Sequence, residues 1–361
     1  MKQNQSTLTQ RSSYWDNMKG VLIALVVFGH CLYSSLDIGI IRHVVDAIYF
    51  FHMPAFVFVS GYFSKSKNSR SARSLTKLLS AYLLLTTVHL GMAFINGHPL
   101  LVTTPYNSAW YLLALIAWRL ITPYFSKTKW SLPLFLVISL FAGFWQDIDN
   151  TFALARIISL YPFFLAGYFL SKENSDKLVS FSPLKRLLPG VVIICAGAGI
   201  AFLSKSLLHV GQKDFGFAAY EEIFRQLPGR AVVFVVAFLC IAGLLLLTPK
   251  GNIPLLTKVG RNSLAIFLIH RPITLLMNRF IGGFSAVMLL AYAAVFTVAA
   301  CVVLGSDIVS RLLDKALNFF TDVFLQIRKP RKAALAKTDR RTFDCCFAFS
   351  SVYRFHHQVM K

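Results

Sequence analysis

Residues 19–36 read KGVLIALVVFGHCLYSSL. A lysine opens the run, ten uncharged residues follow, and His30 interrupts an otherwise apolar stretch. A helix crossing about 30 Å of hydrocarbon needs about 20 residues, and this run has that length and character. Eleven steps separate Lys19 from His30, and at 100° per residue they end about 20° from whole turns. Lys19, Ile23, Val26 and His30 therefore share one stripe, with Asp16 near it. The helical rise carries His30 about 16 Å beyond Lys19. An acid and a base at one end of a face, with an imidazole deep along it, suit a lined cavity. The plainer alternative is a histidine satisfied by a backbone carbonyl at a helix interface.

The rest of the chain continues the pattern. Of 361 residues, 56% are hydrophobic and 14% charged, and the mean hydropathy is +0.61. Soluble domains carry about 25% charge. The composition therefore excludes a disordered chain, a disulfide scaffold and an ordinary soluble enzyme. Apolar runs fall at 19–36, 44–63, 78–96, 108–124, 131–146, 154–171, 188–204, 229–248, 262–280 and 284–305. The expected fold is an all-α polytopic transmembrane helix bundle of about ten spans. Its parts are a cytoplasmic N-terminal segment (1–18), a membrane domain (19–305) and a basic cytoplasmic tail (306–361). Polar residues 1–16 before the first run resemble an anchor's flank, not a cleaved signal peptide.

The net charge is +22, from 37 basic and 15 acidic residues. The basic residues cluster between apolar runs, as in cytoplasmic membrane loops, so no nucleic-acid partner is expected. With the N-terminus inside, 28 of the 37 fall on the cytoplasmic side and six on the outer side. Arg119, Arg156 and Arg271 lie within spans. An even number of spans with both termini cytoplasmic fits this alternation. Six cysteines show neither a pairing framework nor zinc spacing, so no metal is expected. Cys345 and Cys346 form a pair suited to palmitoylation or an incidental one. The longest outer loop, 205–228, is aromatic and acidic, as a sugar-binding lid or a solvated loop would be. The tail beyond 328 is basic and suits anionic lipid headgroups.

Ionisable residues inside spans mark function by default. His52, in the run Phe51-His52-Met53-Pro54, lies about as far from the outer end of its span as His30 does from its own, which places the two level in depth. Pro54 frees a carbonyl nearby and invites a kink or a polar partner. Ser60, Gly61 and Tyr62 follow, where small residues suit helix packing. Trp110 and Tyr111 read as an interfacial aromatic belt. His270 and Arg271 sit mid-span before Pro272, costly unless they face water or a counterion. Asn262 or Ser263 suits the cap of that helix.

In order, these segments are Tyr14-Trp15-Asp16-Asn17-Met18-Lys19-Gly20 to Gly29-His30, Phe51 to Pro54 with Ser60-Gly61-Tyr62, Pro162-Phe163-Phe164 with Gly167-Tyr168, and Gly260 through Ser263 to His270. Together they resemble the integral-membrane acyltransferase 3 family, especially its fucose 4-O-acetylase-like group. The resemblance covers residues 14–272. It implies acyl-CoA-dependent O-acylation of carbohydrate at the cytoplasmic (inner) membrane. The family's first-helix signature is an arginine, ten residues and a histidine. Here Lys19 holds the arginine position, keeping charge but losing the bidentate fork, and His30 matches the histidine. An Arg-x-x-Arg pair is common after the second helix. Arg70 and Arg73 have that spacing but come early, and the aligned position reads Lys77-Leu-Leu-Ser80.

The expected site follows. Acetyl-CoA or another acyl-CoA enters from the cytoplasm, its phosphates met by Lys65, Lys67, Arg70, Arg73 and Lys77. His30 acts as general base or carries the acyl group, with Asp16 and Lys19 orienting the site. His52, Ser60, Tyr62, Trp110, His270 and Arg271 are secondary candidates for thioester or acceptor contact. The acceptor is a carbohydrate or lipid-linked glycan of the envelope or an exported polymer. Two other classes share these features: a proton-coupled carrier, against which there is no internal repeat, and a non-catalytic polysaccharide-assembly subunit.

Overall fold

A computed structural model describes residues 12–97, 99–100, 103–105, 107–128, 130–145, 151–208 and 223–327. Expectations for the 205–228 loop fall largely outside this range, and those for the tail beyond 327 fall wholly outside it. The helices are α1 (Ser13–Leu32), α2 (Gly39–Tyr49), α3 (His52–Phe63), α4 (Ala72–Ile95), α5 (Trp110–Phe125), α6 (Ser131–Phe141) and α7 (Leu154–Phe169). They continue with α8 (Lys172–Ser180), α9 (Pro183–Leu208), α10 (Ile223–Leu247), α11 (Pro254–Arg261), α12 (Ser263–Met277), α13 (Ala286–Leu304) and α14 (Asp307–Ile327).

The chain is a transmembrane helix bundle, and among the described residues seven helical stretches are long and apolar enough to cross a membrane. They are Ser13–Ser35, Gly39–Phe63, Ala72–Ile95, Thr151–Phe169, Pro183–Leu203, Gln226–Leu247 and Ala286–Leu304. The other three expected runs fold into shorter helices: α5, the stretch Ser131–Phe144, and α12 with 15 residues. Apolar composition predicted about ten spans; within the 131–146 run the helical stretch ends at Phe144, and within the 262–280 run α12 starts only after Asn262.

Polarity is inverted relative to a soluble protein. Val295, Val298, Val302 and Val303 of α13 and Leu187, Leu188, Val191 and Val192 of α9 are exposed, as lipid-facing side chains are. Asn17, His52, His89, His270 and Arg271 are buried. α1 runs through the centre and packs against α3, α11, α12 and α13. Its buried side chains Met18, Leu22, Ile23, Val26 and Val27 form the middle of the core. In lipid, apolar contact alone gives little drive for helix association, so close backbone approach and polar bonds carry more of it. Gly61 of α3 and Gly167 of α7 meet reciprocally, each against the other helix's backbone, at Phe164 and Phe58. Gly260 of α11 lies against the Asp16 backbone in the same way.

Polar bonds fasten the ends. The Tyr14 hydroxyl and Arg186 donate to Leu245 O near the C-terminus of α10, and Arg186 also reaches Thr248 O at 2.6 Å. Asn17 Nδ2 donates to Pro249 O and Gly251 O, and Asn17 Oδ1 accepts from the Thr257 hydroxyl at 2.6 Å. α1 is therefore tied to the α10–α11 connection before it enters the bundle. It starts at Ser13, and Tyr14 to Met18 are buried.

Two local expectations change. Neither Asn262 nor Ser263 caps α12 through a side chain; Asn262 Nδ2 instead donates to Gly305 O and Asp307 Oδ1, both at 2.8 Å, clasping the α13–α14 corner. Pro54 does not kink a continuous helix. The chain breaks at Phe50–Phe51, and Pro54 sits in the first turn of α3, where a missing N–H costs nothing. The tail also starts as structure: α14 packs along α4, with Asp314 and Asp322 paired to Lys77 and Arg73 at 2.8 and 2.7 Å.

Candidate active site

The C-terminal half of α1 borders a cavity of about 310 Å³. His30 reaches it from α1 and Tyr33 from just past its end, Tyr49 and His52 from the α2–α3 break, Trp110 and Tyr111 from α5, Arg156 from α7, and Arg271 from α12. The break makes this possible. It points the first turn of α3 into the bundle and exposes Ile48 O, to which His52 Nδ1–H donates at 2.9 Å. That bond fixes the tautomer, because a carbonyl only accepts, and leaves His52 Nε2 as a bare acceptor. The Tyr49 and His52 rings lie 4.6 Å apart, and Tyr33 stacks on Tyr49 at 5.9 Å. The Arg156 guanidinium lies 5.0 Å over the Trp110 ring. Trp110 is thus buried at the cavity wall, not exposed in an interfacial belt.

His270 lies behind His30, with ring centroids 5.3 Å apart and planes at 86°. Its Nδ1–H donates to Ile266 O and Phe267 O at 2.9 and 3.0 Å. Arg271 Nη1 donates to His30 O at 3.4 Å. Several nitrogens here are sealed from solvent without a hydrogen bond: His30 Nδ1, His270 Nε2 and both ring nitrogens of His89 on α4. Each such atom costs about 1–3 kcal/mol, a cost borne more often at functional sites than in packing cores.

The structure therefore gathers His30, His52, Trp110 and Arg271 around one space, with His270 against His30. It does not bring Asp16 or Lys19 there. Those two pair at 2.7 Å, eleven residues before His30 in Lys19's case, at the far end of α1. About 16 Å of helix lies between, so neither touches His30. Their neighbours form a second cluster. Trp15 stacks on Tyr62 at 4.1 Å, Lys65 Nζ lies 4.1 Å over Tyr62, and Lys19 Nζ lies 5.3 Å over Phe63. Tyr62 thus belongs to this end. Ser60 lies between the two: its hydroxyl donates to Phe56 O at 2.9 Å and so accepts from the Tyr111 hydroxyl.

The basic cluster divides. Arg73 and Lys77 face the carboxylates of α14, because α4 continues as one helix and turns them towards it. Lys65, Lys67 and Arg70 stay in the turn before α4, and none pairs with a carboxylate among the described residues. Lys65 donates to Leu170 O, and burial pushes its ammonium down to about 8.

Arg119 was legible only as a charge in a short span, and its role was missed. Its guanidinium donates to the Ser64 hydroxyl, Ser69 O and the Ser74 hydroxyl at 3.1, 3.1 and 3.2 Å, holding the basic turn from beneath. Tyr33, Tyr49, Arg156 and His89 were also missed: Tyr33 and Tyr49 lie three residues from His30 and His52, a spacing that could have marked them, whereas Arg156 and His89 join through the packing of α7 and α4. Among the described residues no group of three or more His, Cys, Asp or Glu side chains is arranged to hold a metal ion.

Comparison with known proteins fits this architecture. The pattern of the Acyl_transf_3 family, described as an acyltransferase domain, matches residues 12–306. Nodulation protein NolL of Sinorhizobium fredii (strain NBRC 101917 / NGR234) is 28% identical over 203 residues, covering 49% of this chain and 54% of that protein. The chain thus spans about half the length of the curated relative it matches. No solved structure matches. The family match takes in every helix from α1 to α13 and both ends of the first one, and by it the chain belongs to the Acyl_transf_3 acyltransferase family.

Proposed function

We propose that the protein transfers an acyl group, acetyl in the simplest case, from acyl-CoA to a carbohydrate hydroxyl in the inner membrane. The observation that carries the reading is the cavity holding His30, His52 and Trp110 in a chain matched to acyltransferases over residues 12–306. Donor phosphates meet Lys65, Lys67 and Arg70, with Lys19 close by, at the cytoplasmic end. The extended pantetheine arm then covers the length of α1 between Lys19 and His30, and brings the thioester to the cavity. Trp110 and the Tyr33–Tyr49 stack offer flat faces to the C–H surface of a sugar ring.

The transfer balances without any other reactant. The acceptor oxygen attacks the thioester carbon, the C–S bond breaks, and the hydroxyl proton passes to His30 and then to the departing thiolate. Arg271 sits beside the same space and suits the developing oxyanion. The acceptor is a lipid-linked or exported envelope glycan, for which a membrane site is apt.

The test uses purified protein in vesicles, radiolabelled acetyl-CoA and extracted envelope glycans, with wild type beside His30→Ala. Label reaching glycan only with wild type supports the reading. Equal transfer by a folded His30→Ala variant overturns the role of His30. Failure of wild type with acetyl-, succinyl- and longer acyl-CoA across an acceptor panel overturns the activity.

A further inference from the structure

His30 and His270 present two complementary orphans. The Nδ1–H of His270 is committed to Ile266 O and Phe267 O, so its Nε2 carries a lone pair and no proton. That Nε2 is sealed from solvent and has no hydrogen-bond partner. On the facing ring, His30 Nδ1 is sealed and unpartnered too. His30 borders the cavity, so its other nitrogen, Nε2, is the one able to meet a substrate. The rings lie edge to face with centroids 5.3 Å apart. Two imidazoles joined by a direct N–H···N bond of about 3 Å have centroids about 5 Å apart. The observed centroid separation is compatible with such a bond.

We propose that His270 is the positioning partner of His30, its Nε2 accepting from His30 Nδ1–H. This rests on the reading of His30 as general base. The bond selects the His30 tautomer with a bare Nε2 facing the cavity, the form that removes a hydroxyl proton. When His30 takes that proton, the positive charge is shared with His270, and the same proton leaves to the CoA thiolate. His270 never touches substrate. It holds the place that a carboxylate holds behind the histidine of a hydrolase triad, in a site where a buried carboxylate would be costly to desolvate. Arg271, next in sequence, bonds to His30 O and fixes the backbone beneath the ring. α12 thus secures His30 at both its side chain and its main chain.

The experiment compares wild type, His270→Leu, His270→Gln and His30→Ala in vesicles, each shown to be monodisperse. Gln places an acceptor oxygen near the position of Nε2, and Leu places none. His270→Leu should lose about 10–100-fold in kcat with little change in KM, and His270→Gln should recover much of that loss. The ¹⁵N solid-state spectrum of wild type should show His30 protonated at Nδ1 and bare at Nε2, and His270→Leu should lose that preference. Wild-type kcat in His270→Leu, or equal loss in both His270 variants while His30→Ala is inactive, overturns the positioning role and leaves the proposed activity intact. Where wild type transfers nothing, the spectrum decides alone: His30 protonated at Nε2 overturns the inference.

Discussion

Replacing Gly61 or Gly167 with alanine tests how α3 and α7 are held, and through them the cavity. A Cβ on Gly61 would lie 2.8 Å from Phe164 C and 3.1 Å from its Cα, with the carbonyl oxygen closer still. A Cβ on Gly167 would lie 2.7 Å from Phe58 C and 3.1 Å from its Cα. Ordinary contact begins at 3.4 Å, so the carbonyl carbon alone demands about 0.6 Å of separation and the oxygen demands more. The obstacles are helical backbone, which has no rotamer to change. Each single alanine should therefore cost about 2–3 kcal/mol, the upper part of the range for overpacking. Both substitutions push the same pair of helices apart. Once one has done so, the second should add about 1 kcal/mol or less, a coupling expected of contacting sites. Unfolding in mixed detergent micelles, followed by tryptophan fluorescence, gives the four-member cycle. The α3 side of this seam carries His52 and the α7 side carries Arg156, so kcat should fall with stability. A neutral single alanine, or strictly additive losses, would refute the reciprocal contact.

Burial of Lys65 predicts a pH effect. Its pKa of about 8 lies below the ordinary 10.5, so between these values the unfolded chain binds more protons and stability rises with pH. Phosphate binding has the opposite dependence. The protonated fraction falls about tenfold from pH 7 to 9, so KM for acyl-CoA should climb over that range in wild type and stay level in Lys65→Arg; a level wild-type profile removes Lys65 from the donor site. Asp314→Asn with Asp322→Asn releases Lys77 and Arg73 from half-exposed pairs, which should cost under about 2 kcal/mol together and tighten CoA binding several-fold in calorimetry. Unchanged affinity would place Arg73 and Lys77 out of reach of the phosphates. Arg119→Met removes three bonds beneath the basic turn and should raise donor KM about tenfold while leaving kcat within about twofold, and a loss confined to kcat would contradict that role. His89→Leu trades a sealed imidazole with two unpaired nitrogens for a side chain of similar size, so the melting temperature should hold or rise; a fall of more than about 5 °C would mean that His89 has a partner, such as bound water.

The helical membrane fold was legible because hydropathy reports directly on what lipid tolerates. Span count was less legible, since composition marks apolarity and not where a helix stops. In the apolar run 44–63 Pro54 signals a disturbance near His52, but it does not place the break at Phe50–Phe51, where the carbonyl of Ile48 accepts from His52. His30 and His52 were matched in depth by counting residues along antiparallel runs, and they do border one cavity. Asp16 and Lys19 share the angular stripe of His30 but, as the same count gives, stand about 16 Å or more from it along the helix. A shared stripe fixes angle around a helix, whereas contact also requires closeness along it. The basic cluster failed in a different way: the sequence cannot say which of five cations will meet an acid, and α14 supplies carboxylates from more than 230 positions away. Arg156 and His89 reach the histidine neighbourhood only through tertiary packing, for which no local pattern exists, whereas Tyr33 lies one helical turn beyond His30.

The placement of α1 explains why its two ends carry such different chemistry. At the N-terminal end, Asn17 is bonded to Pro249 O, Gly251 O and the Thr257 hydroxyl, and Asp16 meets Gly260 backbone to backbone. These contacts set the register of the helix, since no side chain there can slide past a glycine-sized gap. His30 lies near the other end of the same rigid element. A shift of one residue would turn it by 100° and advance it 1.5 Å, taking the imidazole off the cavity and away from His270. Under the proposed function, the shared face of Lys19 and His30 lets one helix serve two ends of a long donor. The Asp16 backbone at Gly260 and the three side-chain bonds of Asn17 hold the helix that carries His30, so the latch at one end of α1 sets where the imidazole stands at the other.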